Sequence, residues 1–106
     1  MATYSLKDIK ARNPIPGFEL KFIHGEKMTS AHWQIDKDAV LPEHSHPHEQ
    51  ISIVLEGKLE LIIDGVINIM EPGKVAVIPG NTSHSGKALT DCIVLDVFCP
   101  IREDFV

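Results

Sequence analysis

The sequence predicts an all-β fold, a small antiparallel β-barrel. Beyond its first dozen residues the chain is a series of short apolar runs, rich in β-branched residues and separated by turns that contain Gly or Pro. Gly57, Gly65 and Gly73 recur every eight residues, a spacing typical of antiparallel strands joined by short turns. No window longer than a turn or two has helical periodicity. Many short strands favour a closed barrel or sandwich, because closure removes the exposed edges of an open sheet.

The first part of the chain predicts one helical turn and a pair of strands. The only candidate for helix is a turn between Ser5 and Lys10, which the side chain of Ser5 is suited to cap. Residues 18–23 and 28–35 are rich in apolar and β-branched or aromatic side chains, as strands are, and residues 24–27 form the turn between them.

The second part of the chain predicts further strands separated by marked turns. Asp64-Gly65 is a strong signal for a two-residue type I′ hairpin turn. Glu56-Gly57 and Glu71-Pro72-Gly73 mark a turn on either side of that hairpin. The predicted strands are residues 50–55, 58–63, 66–70, 74–78 and 91–99.

Length and composition describe one compact domain. The chain has 106 residues, of which 43% are hydrophobic and 24% charged, with a formal net charge of −5. A typical domain has about 100–150 residues. We therefore expect a single domain over residues 1–106, with an N-terminal extension at 1–16 and the barrel over about 17–100. The acidic balance and the lack of a basic run argue against nucleic acid as a partner.

We also expect no membrane partner and a cytoplasmic location. No apolar stretch approaches the roughly 18 residues of a membrane span, and residues 1–8 lack the apolar segment of a signal peptide. Cys92 and Cys99 lie in one predicted strand, where about 3.3 Å per residue would separate them by about 23 Å. A disulfide needs Cα atoms within about 7 Å. Both cysteines are therefore expected to be free thiols, as in a reducing compartment.

A cluster of histidines predicts a metal site. His occurs six times, and three of the six fall within residues 43–50. In an extended segment His44 and His46 point to the same side, an arrangement that suits one divalent metal ion. Two imidazoles bind weakly, so further ligands must come from elsewhere. The candidates are His24, His32, His48, Glu49, Gln50 and His84.

The position of Gln50 requires the chain to reverse. In a continuous strand Gln50 would lie about 20 Å from His44, too far to share an ion. A reversal near Pro47 would place Gln50 at the start of the next strand, while His84 follows an apolar strand and a turn and can reach across the barrel mouth. The alternative is that His44 and His46 are merely solvated in a polar turn.

At these residues the sequence resembles the cupin superfamily. His44-Ser45-His46, Gln50 and Gly57 match its first motif, and Gly73, Pro79 and His84 match its second. The resemblance covers roughly residues 38–98. The motif positions at which the sequence departs from the usual Gly, Gly and Asn are Asp38, Asn81 and Ala88.

The resemblance implies both a fold and a cofactor. The fold is a double-stranded β-helix, or jelly roll. The cofactor is one divalent transition metal ion, which the resemblance assigns to His44, His46, Gln50 and His84 as ligands. This set accepts nickel, zinc, manganese or iron, so the identity of the metal stays open. Glu49 is kept as a fallback ligand.

The end of the last predicted strand carries a second group of polar residues. Asp96 shares one face with Val94 and Phe98, where an acid is costly to bury without a partner. Arg102, one of two arginines, follows Pro100. Its guanidinium is suited either to pair with Asp96 or to hold a substrate carboxylate, and the residues alone do not decide between these roles.

This terminal segment resembles the small cupins of pectin and alginate degradation, which linearise unsaturated uronates. The resemblance implies an enzyme that converts 4,5-unsaturated monouronates to linear keto-uronates, with the metal as Lewis acid. It makes Asp96 and Arg102 catalytic, and Phe98 and Arg102 substrate-binding. The alternatives are a metal-dependent dioxygenase and a non-enzymatic sugar-binding cupin.

The expected partners are a small anionic sugar and a second copy of the chain. Cupins of this size usually pair through their sheets. Leu95 and Val97 share the face of their strand opposite Asp96, and residues 61–63 form another apolar run. One small barrel cannot cover all of this surface, so a homodimer is expected.

Overall fold

Nine β-strands form most of the protein in the computed structural model, which describes residues 1–105. Val106, the last residue of the predicted domain, lies outside the described residues. The strands are β1 Phe18–His24, β2 Thr29–Ile35, β3 Val40–His44, β4 Glu49–Glu56, β5 Leu59–Ile63, β6 Val66–Met70, β7 Val75–Ile78, β8 His84–Ala88 and β9 Cys92–Cys99. Short 3-10 helices occupy Leu6–Asp8 and Glu103–Phe105.

The strands form two antiparallel sheets that enclose the core. A five-stranded sheet has the order β1-β2-β9-β4-β7, and a four-stranded sheet has the order β3-β8-β5-β6. Buried side chains from both sheets, among them Phe18, Val54, Leu61 and Ile78, pack between them. The prediction of an all-β antiparallel barrel is confirmed. No helix in the described part of the chain is long and apolar enough to cross a membrane.

Alternation along two central strands directs polar side chains into the barrel. In β9 the buried residues are Cys92, Val94, Asp96 and Phe98, while the side chains between them face outward. In β4 the same alternation buries Gln50, which lies opposite Phe98 in the antiparallel pairing. Because side chains alternate between the faces of a strand, the acid of β9 and the amide of β4 share the interior.

The turn predictions are largely confirmed. Asp64 and Gly65 have φ values of 48° and 77° between β5 and β6, as a type I′ turn requires. At the N-terminus, a 3-10 helix follows Ser5, but the Ser5 side chain makes no capping hydrogen bond, so this detail of the prediction is wrong. Because the helix is only three residues long, few backbone groups there need a cap.

Two of the three departures from the cupin motif have a conformational explanation. Asp38 and Asn81 have φ values of 71° and 61°, in the left-handed region where glycine is favoured. Asp and Asn are the other residues that adopt this conformation most readily. Both departures therefore preserve the turns that the motif glycines would form.

The cysteines are free in the structure. Cys92 is buried and Cys99 is exposed, and they lie at opposite ends of β9. Burial raises the pKa of the Cys92 thiol, which keeps it protonated.

Candidate metal centre

Three histidines converge at one end of the barrel. The ligand-capable ring nitrogens of His44, His46 and His84 all lie within 4.8 Å of one another. His44 ends β3 and His84 begins β8, and the antiparallel pairing of these strands sets the two residues side by side. His46 lies in the loop that follows β3, with its ring centroid 5.0 Å from that of His84.

The loop that carries His46 packs on the turn before β8. The backbone N–H of Asn81 donates to the carbonyl of His46 at 2.7 Å. A Cβ added at Gly80 would clash with the carbonyl oxygen of Pro47, so this close approach requires glycine. The contact fixes the distance between the two segments that supply the histidines.

Hydrogen bonds orient all three rings toward a common point. Nδ1 of His44 lies 2.9 Å from the carbonyl of Pro42, and Nδ1 of His84 lies 2.8 Å from the carbonyl of Thr82. Nδ1 of His46 lies 3.1 Å from the carbonyl of residue 48. A carbonyl only accepts, so each Nδ1 carries the proton and each neutral ring keeps a lone pair on Nε2. Metal-binding histidines are commonly oriented in this way.

The electrostatic surroundings keep two of these rings neutral. Burial, helped by the charge of Arg102 and by the neighbouring imidazoles, lowers the pKa of His46 to about 4. Burial also lowers the pKa of His84. Both rings are therefore unprotonated at neutral pH, which is the state that binds a metal.

Gln50 lies beside the histidine group. Its Oε1 lies 3.1 Å from Nε2 of His46. With the His46 proton on Nδ1, the lone pairs of His46 Nε2 and Gln50 Oε1 are both available to a cation. Imidazole nitrogen and amide oxygen are both ligands of divalent metals, so the donor set fits a metal ion. β3 ends at His44 and β4 begins at Glu49, so Gln50 lies at the start of the next strand, as expected.

The other candidate ligands lie outside this group. His24 interacts with Thr29, and His32 interacts with Ser30. Glu49 is exposed and is paired with Cys99 across the sheet. His48 is half-buried, and among the described residues its Nδ1 has no hydrogen-bond partner.

The histidines line a cavity of about 330 Å³ between the sheets. Its polar side also includes Gln50, Asp96 and Arg102, and Phe98 contributes an aromatic surface. The structure thus brings every predicted site residue to one cavity. The rest of the lining is mainly apolar and consists of Pro14, Ile15, Phe22, Trp33, Leu41, Pro42 and Glu43.

Asp96 is a buried acid with one satisfied oxygen. Nε1 of Trp33 donates to Oδ2 of Asp96 at 3.0 Å, whereas Oδ1 has no hydrogen-bond partner within the described chain. Burial raises the pKa of Asp96 to about 6, against the opposing effect of the nearby polar groups of Ser52, Trp33 and Gln50. Such a carboxyl group exchanges a proton readily near neutral pH.

Sequence reasoning missed Trp33. It lies on β2 at an odd position, like the buried residues Thr29, Ala31 and Ile35. This alternation was the available signal, because it places the indole on the inner face of the strand.

Arg102 lies across Phe98 and pairs with a neighbour in its own segment. Its guanidinium carbon is 4.5 Å from the ring centroid of Phe98. Its Nε and Nη2 donate to the carboxylate of Asp104 at 3.0 and 2.8 Å. These bonds hold the pKa of Asp104 below its usual range. Sequence reasoning considered Asp96 as the ionic partner and overlooked Asp104, which is two positions away from the arginine.

The antiparallel jelly-roll barrel with converging histidines defines a cupin. The chain belongs to the cupin family, whose cupin domain model matches residues 31–98. This confirms the resemblance and the fold that it implies.

Particular relatives refine this assignment to a small cupin similar to KdgF proteins. The pectin degradation protein KdgF of Dickeya dadantii is 32% identical over 72 residues, which make up 66% of each chain. The chain thus spans just under two thirds of that relative's length. The structure of KdgF from Halomonas sp. matches with a TM-score of 0.93 at 28% identity, covering 100% of this chain and 99% of that one. An RmlC-like cupin from Shewanella frigidimarina matches with a TM-score of 0.88 at 29% identity, covering 94% and 91%.

Proposed function

We propose that this cupin converts 4,5-unsaturated monouronates to linear keto-uronates. The observation that carries the proposal is the shared cavity, in which a group of three histidines faces a buried acid, Asp96, and an arginine, Arg102. The similarity to a protein named for pectin degradation supports the choice of uronates as substrates.

One divalent transition metal ion would be held by His44, His46, His84 and Gln50. When bound, it would act as a Lewis acid toward substrate oxygen atoms, without redox change. These neutral ligands leave the ion its full positive charge. Nickel, zinc, manganese and iron all suit imidazole and amide ligands, so availability decides which metal is bound.

Arg102 and Phe98 would bind the sugar. The guanidinium would attract the uronate carboxylate, and the ring of Phe98 beneath it would pack on the pyranose. Asp104 occupies the Nε–Nη2 edge of Arg102 but is itself 52% exposed. The substrate carboxylate therefore competes with Asp104 for the guanidinium. The cation matters because the protein has a net charge of −5.

Asp96 would move the proton. Opening the ring of a 4,5-unsaturated uronate releases an enol at C5, and the enol becomes a ketone when its hydroxyl loses a proton and C4 gains one. The reaction consumes no proton overall. One carboxyl group can therefore accept the proton of the enol hydroxyl and return a proton to C4. A pKa of about 6 suits both steps near neutral pH.

The test of this function follows the enol ether by its ultraviolet absorbance. We expect the metal-loaded protein to accelerate loss of that absorbance for an unsaturated monouronate. Arg102→Gln should raise KM by about 10- to 100-fold, the worth of a charge-assisted hydrogen bond, with a smaller effect on kcat.

Arg12→Gln is the matched control for this experiment. Arg12 is the chain's other arginine, and its guanidinium also lies over an aromatic ring, that of Phe22, at 5.5 Å. It is exposed and does not line the cavity, so the control should leave KM unchanged. If the wild-type protein accelerates the loss for no unsaturated uronate, the function is wrong. Oxygen uptake by the iron-loaded protein would then favour a dioxygenase.

We also propose that the protein is a homodimer that pairs through the outer face of the five-stranded sheet. Ile51 lies between Val77 and Val97 in the strand pairing, and Ile53 lies between Val75 and Leu95. Val75 and Val77 are each 58% exposed. A continuous apolar patch of this kind is typical of an interface. The apolar run at 61–63 contributes less, since Leu61 is in the core.

Val77→Lys is expected to convert the dimer to a monomer. Twofold symmetry would bring the new charge into the interface from each copy, where it would be costly to bury. Sedimentation at micromolar concentration measures the change. The control is Val66→Lys on β6, which is 62% exposed but belongs to the other sheet and should stay dimeric. A monomeric wild-type protein at that concentration would overturn the proposal.

A cytoplasmic location remains part of the proposal. Its support is that Cys92 and Cys99 are free thiols. Thiols persist in reducing compartments, whereas secreted domains commonly use cysteines in disulfides.

A further inference from the structure

We propose that Thr29 is a positioning residue that holds Arg102 in place to bind the anion of the substrate. The inference deepens the proposed function and depends on it, because that function uses Arg102 to bind the substrate carboxylate. Thr29 begins β2 and is fully buried, with 0% of its surface exposed. It neither lines the cavity nor belongs to the histidine group.

The Thr29 hydroxyl ties the terminal segment to the sheet. The backbone N–H of Arg102 donates to Oγ1 of Thr29 at 2.9 Å, although the two residues are 73 positions apart. Arg102 is 8% exposed. A buried backbone N–H that loses its acceptor is left without a hydrogen bond, which destabilises the fold. The hydroxyl is thus the acceptor that allows the chain to pass over the barrel at this point.

This hydrogen bond is needed because Arg102 lies beyond the end of the last strand. β9 ends at Cys99, so the ladder of the sheet does not fix the backbone at residue 102. Asp104 binds the guanidinium, but it belongs to the same segment and moves with it. Thr29 belongs to the sheet, and its antiparallel partner is Phe98, the residue over which the guanidinium lies. One position of β2 therefore sets the arginine relative to the aromatic ring of the site.

His24 holds the hydroxyl in the orientation that this role requires. Nδ1 of His24 lies 2.9 Å from Oγ1 of Thr29, across the β1–β2 pairing. When Nδ1 is unprotonated, the hydroxyl donates its single proton there. Its lone pairs then face the N–H of Arg102. Serine would keep both bonds, whereas valine has the shape of threonine but can make neither.

The experiment compares Thr29→Val with Thr29→Ser, using galacturonate and its methyl ester as probes of binding to the metal-loaded protein. Thr29→Val should weaken galacturonate binding about tenfold and binding of the uncharged ester less than twofold. With an unsaturated uronate it should raise KM and leave kcat within twofold. Thr29→Ser should restore wild-type values. Ser30→Ala is the matched control. Ser30 follows Thr29 on the same strand, and its hydroxyl interacts with His32.

A second measurement judges the contact independently of the substrate. Hydrogen exchange at the Arg102 amide should be slow in the wild type and in Thr29→Ser, and at least tenfold faster in Thr29→Val. Thr29→Ala replaces Thr29→Val in both measurements if the latter does not fold. Equal weakening of acid and ester, or an unchanged amide exchange rate, would overturn the positioning role. If wild-type protein does not prefer the acid to the ester, the carboxylate role of Arg102 is wrong, and the exchange result still decides whether Thr29 fixes the segment.

Discussion

Asp96→Asn is expected to reduce turnover of an unsaturated monouronate by about 100- to 10,000-fold, the usual contribution of a positioned acid or base. Asparagine keeps the shape of the side chain and an acceptor for the Nε1–H of Trp33, but it cannot carry a proton between two substrate atoms. The geometry of the site should therefore survive while proton transfer fails. The absorbance of the enol ether measures the loss.

Folding and metal content separate this effect from damage to the site. Burial raises the pKa of Asp96 from 3.8 to about 6. The unfolded chain thus ionises this group at lower pH than the folded protein, and stability is lost as pH rises through this window. The asparagine variant lacks this penalty, so its Tm at pH 8 should equal or exceed that of the wild type. Its metal content should be unchanged.

Asp36→Asn is the matched control for the acid. Asp36 is exposed and lies outside the histidine cavity, so its replacement should leave turnover within twofold of the wild type. Turnover by Asp96→Asn within threefold of the wild type would show that another group moves the proton. The proposed function could then stand, but the role of Asp96 would be wrong.

Local sequence signals predicted the strands in which apolar and polar residues alternate. The run from Gln50 to Met70 shows this, because its strands alternate and the Asp64-Gly65 turn has a recognised conformation. β3 and β8 gave no such signal. β3 includes Pro42 and is mostly exposed, and β8 includes Gly86, so both depend on pairing with neighbouring strands. Such tertiary pairing overrides weak local preference.

The part of the candidate site that lies in a sequence motif was predictable, whereas the contacts between distant positions were not. The spacing of His44, His46 and Gln50 pointed to one group, and the structure brings them together with His84. The contacts of Trp33 with Asp96 and of Thr29 with Arg102 join positions more than 60 residues apart. No local pattern contains such contacts, because they depend on which strands become neighbours in the sheet.

His84→Ala is expected to abolish stable metal binding. His84 is 3% exposed and is the only member of the histidine group that comes from β8. Loss of a group that merely orients a ligand costs about 10- to 100-fold in affinity, so loss of an imidazole ligand should cost at least about 100-fold. After dialysis against a trace of chelator, the wild-type protein should retain about one metal ion per chain, as expected of a single site, and the variant almost none.

Thermal stability gives the same comparison without isolating the metal complex. At a nickel concentration of 100 times the wild-type Kd, the free energy of unfolding of the wild-type protein should rise by about 2.7 kcal/mol. If the Kd of the variant is 100-fold higher, the same concentration stabilises it by only about 0.4 kcal/mol. His32→Ala is the control, since this histidine contacts Ser30 and lies outside the group. Retention of metal by His84→Ala, or an equal gain in Tm, would place the ion elsewhere, because the variant has lost one of the three imidazoles of the group.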